Sequence, residues 1–390
     1  MTRMMLVATG LAALAVPAWA DTLRIDWLER QTVPPPVLSN LEETPEDLGL
    51  AGARLGVKDI ATTGKFMGHD YVLNETRVAP EDDFLSAAKA VIADGAKVLV
   101  VKAPAPDLLA LADLPEAKDL LILNAFAPDD SLRGADCRAN VLHSVPSLAM
   151  RADALGQYVL AKKWTRLALV SGPNPEDKAF AEAMKASLTK FGLTLEGEKA
   201  WAFDADMRRV ASEEVPLFTQ DLPAHDLLLV ADERGDFGRY IAYNTWSPSL
   251  LAGSEGIVPK GWSPVVEHFG AAQLQSRFIA DTSRQMQAED FAAWAAVNAI
   301  GEEVARFGGE DAPSMRANLL SDKFRLAGFL GTPLSFRDWD GQMRQPVPLV
   351  TPRAVVMLAP LEGFLHERSE LDTLGTDLRE STCTAFGDKT

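Results

Sequence analysis

The sequence predicts an α/β protein built as two doubly wound parallel-sheet lobes, joined by a hinge and separated by an interlobe cleft. Three observations carry this. Short apolar runs alternate with amphipathic, helix-length segments along most of the chain. The runs are continuous rather than alternating, as in "VLVV", "LALV" and "LLLV", which is the mark of strands covered by helices on both faces. The series also starts afresh after "VLHSVPS", so two such sheets follow one another.

The first series opens with the strand "TLRIDW", followed by "DYVLNE". In "EDDFLSAAKAVIADG", Phe84, Ala87, Ala88, Val91 and Ile92 share one helical face, with acids at the start and Gly95 at the end. "AKVLVVKAP" is a buried strand stopped by Pro104, "PDLLALAD" a short helix and "DLLILNAF" the next strand. In the second series "SLAMRADALGQYVLAKKW" is a helix and "TRLALVSGP" a strand. "PEDKAFAEAMKASLTKFG" is a capped helix ending at Gly192, and "TLEGEKAWAF" and "DLLLVADE" are strands with a helix between them. A long helix follows from Ala288, then a β-hairpin, "LSFRDWDGQMRQPVPLV", turning at Asp340-Gly341. A strand, "AVVMLAP", leads to a polar tail.

The segment 1–20 reads as a secretory signal peptide. It has a basic start (Arg3), an apolar run from Met4 to Val16 and a small-x-small ending at Ala18-Trp19-Ala20, with cleavage expected after Ala20. That run is shorter than the roughly 20 apolar residues a membrane span needs. An exported, soluble chain is the expectation. With 38 basic against 55 acidic residues and a net charge of −17, the surface suits neither nucleic acid nor an anionic membrane. It is compatible with cation capture and equally with plain solubility. Cys137 and Cys383 are the two cysteines; in an oxidising compartment one disulfide is the default and two free thiols the alternative. The five histidines lack metal-ligand spacing.

In open α/β sheets ligands sit beyond the carboxyl ends of the strands. Those positions hold Lys102, Asn124, Phe126, Ser171, the run Asp232-Glu233-Arg234, and Ser254-Glu255; His143 stands where the chain changes lobe. Each such residue also makes an ordinary cap or solvated loop. Lys102 and Glu255 stand out because they interrupt apolar context, Glu255 between the glycines of "GSEG". Trp201, Phe237, Tyr240, Trp246 and Trp262 lie near these loops, so one or two are candidates to wall the cleft, whereas Trp294 reads as core. The chain lacks the G-x-S-x-G, Walker A, Rossmann, H-E-x-x-H and C-x-x-C patterns, which favours a binder over an enzyme. "DWDG" at Asp338–Gly341 opens like a calcium loop without its later ligands, so it reads as a turn.

The order of elements resembles the type I periplasmic binding proteins of branched-chain amino-acid ABC importers. The stretches that carry the resemblance are "VLHSVPSLAMRADALGQYV", "RLALVSGPNPEDKAFAEAMKASLTKFG" and "GSEG" followed by "FGAAQLQSRF". "WAFDADMRRVASEEVPLFTQ", "LSFRDWDGQMRQP" and "GFLHERSELDTLGTDLRE" resemble one subgroup, the substrate-binding components associated with PQQ-dependent alcohol dehydrogenases. The resemblance implies the type I fold, a periplasmic location, and a monomer that works with an inner-membrane permease and its ATPase. It implies lobes of 21–144 plus 256–332 and of 145–255 plus 333–360, with a tail at 361–390. Amino-acid-binding relatives use the carboxylate of Gly-x-Glu-Gly for the ligand ammonium, and Glu255 matches it. They hold the ligand carboxylate with hydroxyl residues after the third and fourth strands, where this chain has Lys102-Ala103-Pro104 and Asn124-Ala125-Phe126. No catalytic cofactor is implied. The expected ligand is a lanthanide or calcium ion, or its chelate, met by Glu255, Asp232, Glu233 and Asp236. The alternative is a small organic metabolite or amino acid met by Lys102, Asn124, Phe126, His143, Ser171, Glu233, Glu255 and Trp262.

Overall fold

The computed structural model describes residues 21–33, 43–202, 207–309 and 311–387; the signal-peptide segment 1–20 lies outside the described residues. The first lobe contains β1 (Asp21–Arg30), α1 (Leu50–Met67), β2 (His69–Val78), α2 (Phe84–Ala93), β3 (Val98–Lys102), α3 (Ala105–Ala112), β4 (Leu121–Asn124) and β5 (Val141–His143). Its strands form one parallel sheet in the order β2-β1-β3-β4-β5. Successive strand residues belong to opposite cores, as the two-residue strand period requires. Val98, Val100, Leu121 and Leu123 join one cluster, while Leu99, Val101 and Ile122 join another with α2 and α3. Burial on both faces is why these strands are continuously apolar.

The second lobe contains α4 (Leu148–Lys162), β6 (Leu167–Ser171), α5 (Pro175–Lys190), β7 (Leu195–Ala200), α6 (Met207–Thr219), β8 (Leu227–Ala231), α7 (Gly238–Ile241) and β9 (Leu250–Gly253). Its parallel sheet runs β7-β6-β8-β9. Leu167, Leu169, Leu227 and Leu229 pack toward α4 and α5, and Ala168, Val170, Leu228 and Val230 toward α6 and α7. The remaining elements are β10 (Val258–Pro259), α8 (Ala271–Thr282), α9 (Ala288–Phe307), α10 (Ala312–Leu319), β11 (Ser335–Phe336), β12 (Met343–Arg344), β13 (Val347–Thr351) and β14 (Ala354–Ala359). Helices α8 to α10 return to the first lobe, where Leu274, Phe278, Phe291, Ile300 and Met315 complete its core.

Helix α1 is not among the elements read from the sequence. Its run "LAGARLGVKDIATTGKFM" carries three glycines, which weaken helix propensity. Two of them serve close packing on α9, and Gly64 packs against Tyr71 and His69 of β2. A Cβ on Gly56 would lie 2.8 Å from that of Val297, and one on Gly52 would overlap the Asp290 backbone. The β-hairpin turns at Asp340-Gly341 as expected, with Gly341 at φ +69°.

The lobe boundaries differ from the sequence reading in two places. Ile257 packs in the second lobe and β10 pairs with β13, whose Val347 and Leu349 also belong there, so the second crossing follows β10 rather than residue 256. Phe336 and Met343 of the hairpin join the core of the first lobe. The chain thus crosses three times, near residues 144–147, after β10, and between β12 and β13. The crossings touch, since a Cβ on Gly261 would meet Pro146 at 3.1 Å.

The tail is part of the fold. Leu361 and Leu374 enter the core of the second lobe. Arg337, 1% exposed, bonds Asp372 at 3.0 Å and the carbonyls of Leu371 and Leu374, and Arg344 reaches Asp372 at 2.8 Å. Cys383 is bonded to Cys137 in the first lobe, with Cα atoms 5.6 Å apart and 246 positions between them in sequence. Among the described residues no helix is long and apolar enough to cross a membrane.

Cross-linking points so distant in sequence restricts the unfolded chain strongly. Replacing both cysteines by serine is expected to lower unfolding free energy by about 2–4 kcal/mol, read as a lower urea midpoint with a secondary-structure spectrum unchanged before the transition.

Candidate functional site

The carboxyl ends of both sheets lead into the crossings, β5 directly and β9 through the "GSEG" turn, so the strand-end loops of the two lobes flank one cleft. On the first-lobe side, Glu29 at the end of β1 is 2% exposed. Its carboxylate accepts from Lys102 Nζ at 3.0 Å, Arg77 Nε at 3.1 Å and Trp27 Nε1 at 3.2 Å. Lys102 also donates to the Leu48 carbonyl at 2.8 Å. Lys102 therefore neutralises Glu29, not Glu255, and is engaged within its own lobe. Glu29 was missed by the sequence reading, although an acid at the end of a buried apolar strand is itself a sign of a buried counter-charge.

Asn124 and His143 are also engaged locally. Asn124 is fully buried; its Oδ1 accepts the N–H groups of Phe126 and Ala127, and its Nδ2 donates to the Ala127 carbonyl and to His143 Nδ1 at 3.0 Å. The bond to Nδ1 leaves the imidazole proton on Nε2. Burial and the nearby Arg133 charge hold His143 well below the usual histidine range, so it stays neutral. These two side chains shape the β4–β5 loop. Trp262 is likewise corrected. It is 1% exposed, stacked on Phe291 with centroids 4.7 Å apart, because the chain has re-entered the first core by that point. Trp201 and Phe237 stack in a core of the second lobe. Trp294 is core, as expected. Phe126 remains half-buried at its loop, and Ser171 lies buried at the end of β6, where its carbonyl accepts the Trp201 N–H.

On the second-lobe side the "GSEG" turn is built by its glycines. Gly253 and Gly256 have φ of +116° and +78°, and a Cβ at either would strike a carbonyl oxygen, at 2.2 Å from Val230 and 2.3 Å from Leu251. Only glycine meets both demands. The chain doubles back through Gly253 N to Ile257 O and Ile257 N to Leu251 O. Glu255 is carried at the apex, half-buried, with no hydrogen bond or ion pair among the described residues. Its Cβ lies 3.2 Å from where a Cβ on Gly238 would be, so it sits against the start of α7.

The other acids expected to face a cation are occupied. Asp232 accepts three backbone N–H groups, those of Asp236, Phe237 and Gly238, at 2.9, 2.9 and 2.6 Å. Glu233 pairs with both ends of the Arg151 guanidinium, at 2.6 and 2.9 Å, and accepts from Ser254 Oγ at 2.8 Å. Asp236 is exposed and accepts from Asn174. Among the described residues no three His, Cys, Asp or Glu side chains come together to hold a metal ion. The four-carboxylate cage over Glu255, Asp232, Glu233 and Asp236 does not form, because the loop uses its acids to hold its own backbone and Arg151.

Arg151 was missed, although a cation in the first turn of a helix opposes the helix dipole and so marks a positional demand. Arg151 lies over the Phe180 ring at 4.4 Å and bonds the Pro259 carbonyl at the crossing. It also feels the charge of Glu289 on the facing lobe. Burial pushes the Glu233 carboxyl up, but the Arg151 charge and bonds outweigh it and hold it below the usual glutamate range. Arg239 on α7 is a further residue that no sequence signal marked. It donates from Nη2 to the Tyr240 hydroxyl at 2.8 Å and lies over that ring at 4.6 Å, while Nε and Nη1 are buried with no partner.

A glutamate whose pKa is lowered by folding adds stability that is complete above its ordinary value of about 4.3 and is lost as pH falls through the lower folded value. Glu233→Gln, which leaves Arg151 without its counter-charge, is expected to cost roughly 2–4 kcal/mol at pH 7. In urea unfolding across pH 3 to 7, the gap between wild type and variant should narrow below pH 4.

Comparison with known proteins places this geometry. Residues 44–211 match the family described as periplasmic binding protein. No curated protein matches the chain. A periplasmic binding protein from Burkholderia mallei superposes with a TM-score of 0.68 at 17% identity, covering 94% of this chain and 99% of its own. A branched-chain amino-acid ABC transporter ligand-binding protein from Burkholderia xenovorans LB400 gives 0.71 at 16%, covering 93% and 100%. A solute-binding protein of an ABC transporter from R. palustris, in complex with benzoate, gives 0.64 at 12%, covering 93% and 99%. At these identities the likeness is one of fold. The chain has the two-lobed α/β fold of the type I periplasmic binding proteins.

Proposed function

We propose that this protein is the periplasmic solute-binding component of an ABC importer, delivering a small organic solute to an inner-membrane permease and its ATPase. The observation that carries the reading is Glu255, a carboxylate without a partner among the described residues, presented by a glycine-built turn at the end of one lobe's sheet, while Lys102, Asp232 and Glu233 are engaged within their own lobes. Such a carboxylate accepts from an ammonium or hydroxyl group, and a solute touching both lobes favours their closure. The R. palustris protein carries a carboxylic acid, and the B. xenovorans protein is named for amino acids. A carboxylic acid bearing a hydrogen-bond donor is therefore the class we infer. The resemblance to systems of PQQ-dependent alcohol oxidation supports an acid derived from an alcohol. It also gives a second reading, a lanthanide or calcium ion carried as a chelate; the engagement of Asp232 and Glu233 disfavours the bare ion.

A thermal-melt titration of metal-stripped mature protein against leucine, benzoate, 3,4-dihydroxybenzoate, lanthanum and calcium tests this. At a hundredfold excess over its dissociation constant a ligand of the folded state stabilises by about 2.7 kcal/mol. An organic acid is expected to raise the midpoint, and Glu255→Gln to abolish the rise without lowering the unliganded midpoint. A rise with lanthanum alone, lost in Glu255→Gln, would replace the organic reading by the metal one.

A further inference from the structure

We propose that Arg239 is the anion-recognising residue of this cleft and makes it selective for carboxylates, in a reading that rests on the receptor function above. A guanidinium has five N–H donors and no acceptor, and a buried donor left without a partner is destabilising. The other deeply buried guanidiniums obey that rule. Arg133 bonds Gln342 and the carbonyls of Ala127, Asp129 and Val145. Arg151 has Glu233, and Arg337 has Asp372 with three carbonyls. Arg239 departs from it, with Nε and Nη1 buried and unpartnered.

Its position makes the departure informative. Arg239 follows Gly238, which packs against Glu255 and against the Asp232 carboxylate. Among the described residues the Arg239 guanidinium, one residue from that contact, is joined to no carboxylate, and Glu255 has no hydrogen bond or ion pair. A guanidinium one residue along α7 from the Gly238–Glu255 contact, and not paired with that carboxylate, suits a solute with an acid at one end and a donor at the other. The first lobe offers less to an anion at its strand ends, because Lys102 and Arg77 converge on Glu29. In this arrangement the second lobe supplies both charges. The solute carboxylate takes the unpartnered donors of Arg239, its ammonium or hydroxyl group meets Glu255, and the first lobe closes over the remainder.

The test compares acids with their neutral amides. Wild type, Arg239→Gln and Arg239→Lys are titrated calorimetrically with leucine, benzoate and 3,4-dihydroxybenzoate, and with leucinamide, benzamide and 3,4-dihydroxybenzamide. Wild type is expected to prefer at least one acid over its amide. Arg239→Gln should weaken that acid about 10- to 100-fold, the range for charged hydrogen bonds, and leave the amide within a few-fold. Arg239→Lys should fall between. Arg239→Gln also loses the Tyr240 contacts of the empty protein, so the assignment is read from the acid-against-amide difference; a purely structural arginine would weaken acid and amide alike. An unchanged preference for acid in Arg239→Gln overturns the assignment. Amide binding by wild type as tight as acid binding overturns it while leaving the receptor reading intact. Failure of wild type to take any acid or amide overturns both.

Discussion

A charge taken out of water must be met by an opposite charge or by hydrogen bonds, and that constraint organises the interior of this protein more than any single contact. Both lobes have apolar layers of the ordinary kind, yet the positions where loops, crossings and tail meet are decided by buried ions. Glu29 gathers Lys102 and Arg77 at the end of the first sheet. Glu233 and Arg151 do the same at the end of the second. Asp372 binds Arg337 and Arg344 and so fastens the tail to the hairpin. In each case the apolar neighbours set the shape and the pair sets the register.

The hinge is built on the same rule. Arg133, 2% exposed, joins the loop after β4 to Gln342 and to the crossing at Val145. Burial pushes its guanidinium down to about 10, so it keeps its charge at neutral pH. Gln342 donates to the carbonyls of His143 and Val145, and Gln345 to that of Ser144. Asp130 of the first lobe accepts the Ala149 N–H at the start of α4, the first helix of the second. The crossings are thus held to each other by side chains.

The strand-end residues differ in role despite similar positions. Lys102, Asn124, His143 and Asp232 all stand at the ends of apolar strands, and each is hydrogen-bonded by neighbours within the same lobe. Glu255 occupies a turn whose glycines bring the backbone against Val230 and Leu251, and it has no such neighbour. Position after a strand is therefore a weak guide to ligand contact. The better guide is whether local hydrogen bonding has been completed without the residue.

Legible in the chain alone were the fold class, the alternation of the two series, the hairpin at Asp340-Gly341 and the glycine-flanked turn that carries Glu255. These depend on local periodicity and on glycines whose φ values no other residue adopts readily. The pairing of Cys137 with Cys383 was equally legible, because two cysteines admit one intramolecular bridge. Helix α1 was not, because its glycines speak against a helix until α9 lies beside them. The partners of Lys102, Asp232 and Glu233, the burial of Trp262 and the unpartnered donors of Arg239 follow from tertiary packing. Each depends on which distant side chain fills the space above a strand end, a matter of three-dimensional packing to which no periodicity in the chain corresponds.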